Sequence, residues 1–155
     1  VERIPFTPEG YRVLKDELER LKRVERPTNI RAIEEARAHG DLSENAEYAA
    51  AKDRQSFIEG RISELEFKLN NAEVIQPDRL PKDRIVFGSR VVLENVDTGE
   101  GASYQLVGPE ESDIGNGKIS VSSPLGRAML GKRPAEEVTV QAPGGKRVYE
   151  IVDIE

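Results

Sequence analysis

At 155 residues, with 34% charged and 5% aromatic side chains, the chain has room for one domain or two small ones and reads as soluble; no apolar run approaches the roughly 18 residues of a membrane span. Cysteine is absent, which removes disulfides, thiolate metal sites and thiol nucleophiles together, and the single His39 excludes a histidine cluster, so any metal must be held by oxygen. The net charge of −6 argues against sequence-independent coating of nucleic acid, although a local basic strip can survive inside an acidic total. No positively charged start leads into a short apolar stretch, and the expected location is cytoplasmic.

Residues 7–72 carry helical punctuation: Gly10, Gly40 and Gly60 are their only glycines and, after Pro8, Pro27 is their only proline. Thr7 followed by Pro8 predicts a capped helix start, since the missing proline N–H costs nothing at the first helical position. Tyr11, Leu14, Leu18 and Leu21 then recur at the spacing of a coiled-coil seam, with Lys15, Asp16, Glu19, Arg20 and Lys22 outside it. Pro27 is expected to kink or locally break the helix, after which Ile30, Ile33 and Ala36 resume the pattern and Gly40 ends it in a left-handed cap. A second seam runs back through Tyr48, Ala51, Gln55, Ile58, Ile62, Leu65, Leu69 and Ala72. It is small or polar near the tip and aliphatic toward the base. Two arms of about 33 residues, at about 1.5 Å each, predict an antiparallel two-helix hairpin roughly 50 Å long. Gly60 weakens its helix by up to about 1 kcal/mol or allows the arms to approach closely.

The composition changes at Gln76. Pro77, Asp78, Pro81, Lys82 and Asp83 read as a linker over residues 77–84, dividing the hairpin domain, 1–76, from a second domain, 85–155. In that domain residues 85–94 read as a strand, Asp97-Thr98-Gly99 as a turn and residues 102–107 as a partner strand. Further strands are expected at 118–122, 137–141 and 147–154, the last two joined by Pro143-Gly144-Gly145. Ser123-Pro124 opens a short helix that Gly131 closes. The predicted class is α+β, with an antiparallel sheet.

The tip holds the chemistry. Asp41 and Glu44 admit two readings, and the first is structural: Asp41 caps the second helix and Glu44 reaches back, an Asp variant of the capping box worth about 1 kcal/mol. The second is half of a magnesium site, because a hard cation prefers carboxylate oxygen and one or two acids hold it only when another molecule supplies the remaining ligands. Arg37 lies one turn before Asp41, and Lys52 lies two turns after Glu44 with Tyr48 between, a line along which a nucleic-acid strand could lie. Each also has a plain role: Arg37 complements a helix end, Lys52 is a solvated charge and Tyr48 packs in the seam. His39 reads as a polar turn residue.

The run Gly40-Asp41-Leu42-Ser43-Glu44-Asn45-Ala46-Glu47-Tyr48, with Glu59-Gly60-Arg61-Ile62, Phe87-Gly88, the residues from Ile119 to Pro124, Gly131-Lys132 and Ala142-Pro143-Gly144-Gly145, resembles the bacterial Gre transcript-cleavage factors over nearly the whole chain. The resemblance implies an N-terminal antiparallel coiled-coil hairpin and a C-terminal FKBP-like antiparallel sheet domain with a short helix. Proline isomerisation is not implied; Phe87, Tyr104 and Tyr149 are the only aromatics of the second half and make thin material for a proline pocket.

It further implies that the globular domain docks on RNA polymerase, the hairpin enters the secondary channel, and the polymerase's own hydrolysis of a backtracked transcript is stimulated. The chain is then a cofactor protein and not itself an enzyme. Asp41 and Glu44 would help hold a second Mg2+, bound jointly with the polymerase and not stably by the chain alone, and position the attacking water. Arg37 and Lys52 would steer the RNA 3′ end, and Ser43, Asn45 and Tyr48 would support the tip. Ser43 stands where some members have a basic residue, and the acidic total points to the less basic branch of the family, which implies short cleavage products. No membrane and no small-molecule substrate are implied. The rival reading is a nonenzymatic channel plug that inhibits the polymerase with the same rod; a chaperone hairpin would carry an apolar tip.

Overall fold

The fold is that of a computed structural model, which describes residues 2–41 and 45–155; the predicted site residues Ser43 and Glu44 lie outside the described residues. The chain divides into two compact units, Val1–Ile4 with Tyr11–Ala72 and Pro5–Gly10 with Glu73–Glu155, so the proline-rich stretch from Pro77 to Asp83 lies inside the second. The class is α+β, as the two halves of the sequence predict. Among the described residues no helix is long and apolar enough to cross a membrane.

Helix α1 (Pro8–Arg20) begins where Thr7-Pro8 places it, the Thr7 hydroxyl accepting the Gly10 N–H at 3.1 Å. Pro27 does not break the arm. Its missing N–H and its ring are accommodated one turn earlier by a π-helical turn, Leu21–Glu25, closed by the Arg26 N–H on the Leu21 carbonyl, and α2 (Arg26–Ala38) follows directly. The wide turn takes up one extra residue and shifts the seam by one position. Leu14, Leu21, Asn29 and Ala36 are the buried positions, and Ile30, expected in the seam, is 45% exposed. The returning arm is α3 (Ala46–Asn70), which buries Ala51, Ile58, Ile62 and Leu65. Asn29 and the half-buried Gln55 line one cleft of about 70 Å³, a polar layer in an otherwise aliphatic seam.

Charged pairs close the arms in antiparallel register. Arg61 donates through Nε and Nη2 to the two carboxylate oxygens of Glu17 at 2.7 and 2.8 Å, and Arg26 binds Glu59 in the same fork, both contacts at 2.8 Å. Lys22 meets Glu66 at 2.9 Å. These hydrogen bonds from guanidinium hold the Glu17 and Glu59 carboxyls below their usual range and raise Arg26 and Arg61. Gly60 does not serve close approach of the arms: it is exposed, and a Cβ there would meet nothing within 4 Å.

The helix ends at Asn70, and Ala72, expected to extend the helical seam, instead opens strand β2 (Ala72–Val74), paired with β1 (Ile4–Phe6). In the second unit the predicted first strand begins late, as β3 (Arg90–Asn95). Residues 85–89 turn instead, because the Ser89 hydroxyl accepts the Val86 N–H at 2.9 Å and the Ser89 N–H returns to the Val86 carbonyl at 3.1 Å. The other strands are β4 (Gly101–Val107), β5 (Lys118–Ser120), β6 (Glu137–Ala142) and β7 (Gly145–Ile154), in spatial order β5-β4-β3-β7-β6. Three pairings are antiparallel as expected, but β5 runs parallel to β4. The connection over residues 108–117 contains two 3₁₀ turns and brings the chain back in the same direction, which no tight hairpin can do.

Helix α4 (Pro124–Met129) is capped by the Ser123 hydroxyl on the Gly126 N–H at 3.0 Å. It packs so closely that a Cβ at Gly126 would collide with the Ser120 carbonyl. Met129 joins Ile85, Val91, Leu93, Leu106, Ile119, Val138, Ile151 and Ile154 in the core. Phe6, 4% exposed, also belongs to this unit, and Glu111 accepts hydrogen bonds from both the Thr7 N–H, at 3.2 Å, and the Thr7 hydroxyl.

Candidate functional site at the hairpin apex

The apex is built by two helix ends that need different chemistry. Helix α2 leaves its last carbonyls without helical partners, and the chain tightens on them: His39 N–H donates to Ala36 and Gly40 N–H to Arg37, both at 3.2 Å. Gly40 has φ +97°, a conformation that a side chain would strain, and so provides the predicted stop.

Helix α3 begins at Ala46, not behind Asp41. Asn45, in extended backbone, is its N-cap: Oδ1 accepts the Tyr48 N–H at 3.1 Å. The N-cap of α3 is therefore Asn45 and not Asp41, and Asn is among the strongest caps; the expected reciprocal pairing of Asp41 with Glu44 falls on a residue outside the described ones. The Asn45 amide is used at both ends, since Nδ2 donates to the Ala36 carbonyl of the opposite arm at 2.8 Å.

Around this lock lie the predicted site residues. Asp41, Arg37 and Lys52 are exposed, whereas Asn45 and Tyr48 are half-buried. Lys52 donates to Gln55 at 2.9 Å, and the Arg37 side chain has no hydrogen bond or ion pair among the described residues. His39 Nδ1 stands 3.3 Å from Glu47 Oε2, a cross-arm pair that sequence reasoning missed; the only signal was that a helix-end histidine and a first-turn acid flank one short connection. The layer below is narrow. Ala36 and Ala51 are 2% and 8% exposed, so the arms meet there on small side chains and carry polar groups to the apex with little apolar bulk.

The apex of the helical hairpin thus carries the exposed residue Asp41 beside a helix start that Asn45 caps. Comparison with known proteins gives the class. The family model for the transcription elongation factor N-terminal region matches residues 4–74, and that for the transcription elongation factor GreA/GreB C-terminal region matches residues 80–155. Transcription elongation factor GreA of Thermodesulfovibrio yellowstonii is 55% identical over 153 residues, covering 99% of this chain and 97% of that one. The GreA of Syntrophotalea carbinolica is 56% identical over 151 residues, covering 97% and 96%. Among solved structures, that of Thermus aquaticus Gfh1 is 30% identical with a TM-score of 0.46, covering 100% of this chain and 99% of that one. The chain belongs to the GreA/GreB family of transcription elongation factors.

Proposed function

We propose that this elongation factor acts on RNA polymerase that has slipped backwards on its template. The hairpin enters the secondary channel, the second unit docks at the channel rim, and the polymerase's own hydrolysis of the protruding transcript is stimulated, giving a new RNA 3′ end. The polymerase is the catalyst. Support comes above all from membership of the elongation-factor family over both halves of the chain, together with the apex, where Asp41 is an exposed residue and Asn45 is the N-cap of α3.

Asp41 with its near neighbour Glu44 supplies at most part of the oxygen set that magnesium takes, so the donors fit an ion shared with polymerase carboxylates and RNA phosphate. Such an ion, when bound, supplies Lewis-acid and water-activating chemistry. Asp41 and Glu44 would hold it, while Arg37 and Lys52 would attract the extruded RNA strand through its phosphates. The proposed place of action is the cytoplasm, with no membrane and no small-molecule substrate involved.

The test is cleavage of a backtracked transcript with and without Asp41→Asn plus Glu44→Gln. Neither change touches the Asn45 cap. The expected outcome is retained polymerase binding with stimulation reduced by about 100-fold or more. Equal cleavage by the wild type and the double variant would overturn the proposal, and a double variant that still inhibits the polymerase as the wild type does would favour the channel plug.

A further inference from the structure

The geometry points to Asn45 as a positioning residue: we infer that its side-chain amide, by bridging the two arms, sets the placement of the acidic apex, beyond its role as a helix cap. The inference rests on the reading of Asp41 and Glu44 as the groups that act in transcript cleavage.

The two ends of the amide do different jobs. Oδ1 accepts the Tyr48 N–H at 3.1 Å, within α3's own first turn, whereas Nδ2 donates at 2.8 Å to Ala36, nine residues back on the other arm. Turning the amide over would set oxygen against carbonyl and NH2 against N–H, so the pair of contacts allows one orientation. The Ala36 carbonyl receives the His39 N–H as well, and Gly40 and Asp41 follow immediately in the chain. The same residue is therefore tied to both roots of the apex, and Glu44 is its covalent neighbour.

Ala36 and Ala51 have no side-chain reach, and the cross-arm pair of His39 with Glu47 is 59% and 73% exposed, where such contacts contribute little. The bridging amide belongs to a half-buried residue and both of its contacts are part-buried, where a hydrogen bond is less screened than at the exposed pair. Capping alone does not require asparagine, since serine and aspartate cap as well. Bridging does, because Asp has no donor and the Ser hydroxyl ends one bond short of the amide nitrogen.

Asn45→Ser separates the two roles. In the full chain acting on backtracked RNA polymerase, cleavage rate is measured against factor concentration, beside the wild type and the Asp41→Asn, Glu44→Gln double variant. The expected result is an unchanged half-saturating concentration and a maximal rate lowered by about 10- to 100-fold, the effect of slight misplacement of a reacting group. Asn45→Asp, which also caps and cannot donate to Ala36, should show the same loss, and decides the matter if the serine variant fails to melt cooperatively. A wild-type maximal rate, or a change in half-saturating concentration alone, overturns the inference while the double variant is defective. A double variant that cleaves normally overturns instead the functional reading on which it rests.

Discussion

Asn45 and Asp41 differ by one functional group, and that group divides their work at the apex. The amide can accept from one helix and donate to the other, while the carboxylate can only accept, so the neutral residue takes the structural position and the acid stays exposed. Sequence reasoning could see the acids and the chemistry they suit. It could not choose between Asp41 and Asn45 as the cap, because both residue types cap well and the choice depends on where the opposite arm presents the Ala36 carbonyl. Glu17 and Glu59 support a pH prediction at this scale. Each is held below its ordinary value of 4.5 by a guanidinium fork, so each contributes stability that is present above that value and is lost as pH falls through the lowered one. Both carboxylates are 37% or more exposed, and solvent screening limits each pair to about 0.2–1 kcal/mol. Thermal melts followed by helical circular dichroism should show that Glu17→Gln plus Glu59→Gln lowers the hairpin's melting temperature near pH 7 and flattens its fall between about pH 5 and pH 3. Parallel curves for the variant and the wild type would remove these pairs from the account of acid sensitivity.

At the level of elements, the helix ends were legible and the middle of the first arm was not. Thr7-Pro8, Gly40 and Ser123-Pro124 act through bonds to residues three or four positions away, so local chemistry suffices to place them. The π turn answers to a longer-range demand. Pro27 needs room one turn earlier, and Asn29 and Ala36 must face α3, which is why Ile30 is exposed although its type suits a core. Residue type predicts a seam only while the helical phase is constant. Deleting Val24, a 45% exposed residue of that turn, should force a plain α-helical turn against Pro27 and cost about 3 kcal/mol in chemical denaturation. The same deletion with Pro27→Ala should recover most of that loss, because one residue fewer restores an uninterrupted seven-residue spacing from Leu21 to the buried asparagine. If the two deletions are equally damaging, the turn is not a response to the proline. The parallel pairing of β4 and β5 escaped for a related reason: strand propensity is local, but strand direction is set by the connection over residues 108–117.

For the whole molecule, the split into a helical hairpin and a sheet unit followed from the change of composition near Gln76, and the position of the N-terminal strand did not. Residues 5–10 belong to the second unit, where Phe6 is buried and Thr7 is bonded to Glu111, more than a hundred positions away, a pairing that no periodicity encodes. Membership of the GreA/GreB family and the exposed Asp41 beside a helix capped by Asn45 support the central proposal, that the protein lends carboxylate oxygen to a catalytic centre owned by another macromolecule. The most direct test is the magnesium dependence of transcript cleavage in backtracked RNA polymerase complexes, measured without factor, with the wild type, and with Asp41→Asn plus Glu44→Gln at saturating concentration. The account predicts that the wild type moves half-maximal cleavage to a lower magnesium concentration and that the double variant, though bound, leaves the curve where polymerase alone puts it. A double variant that moves the curve as far as the wild type would contradict it.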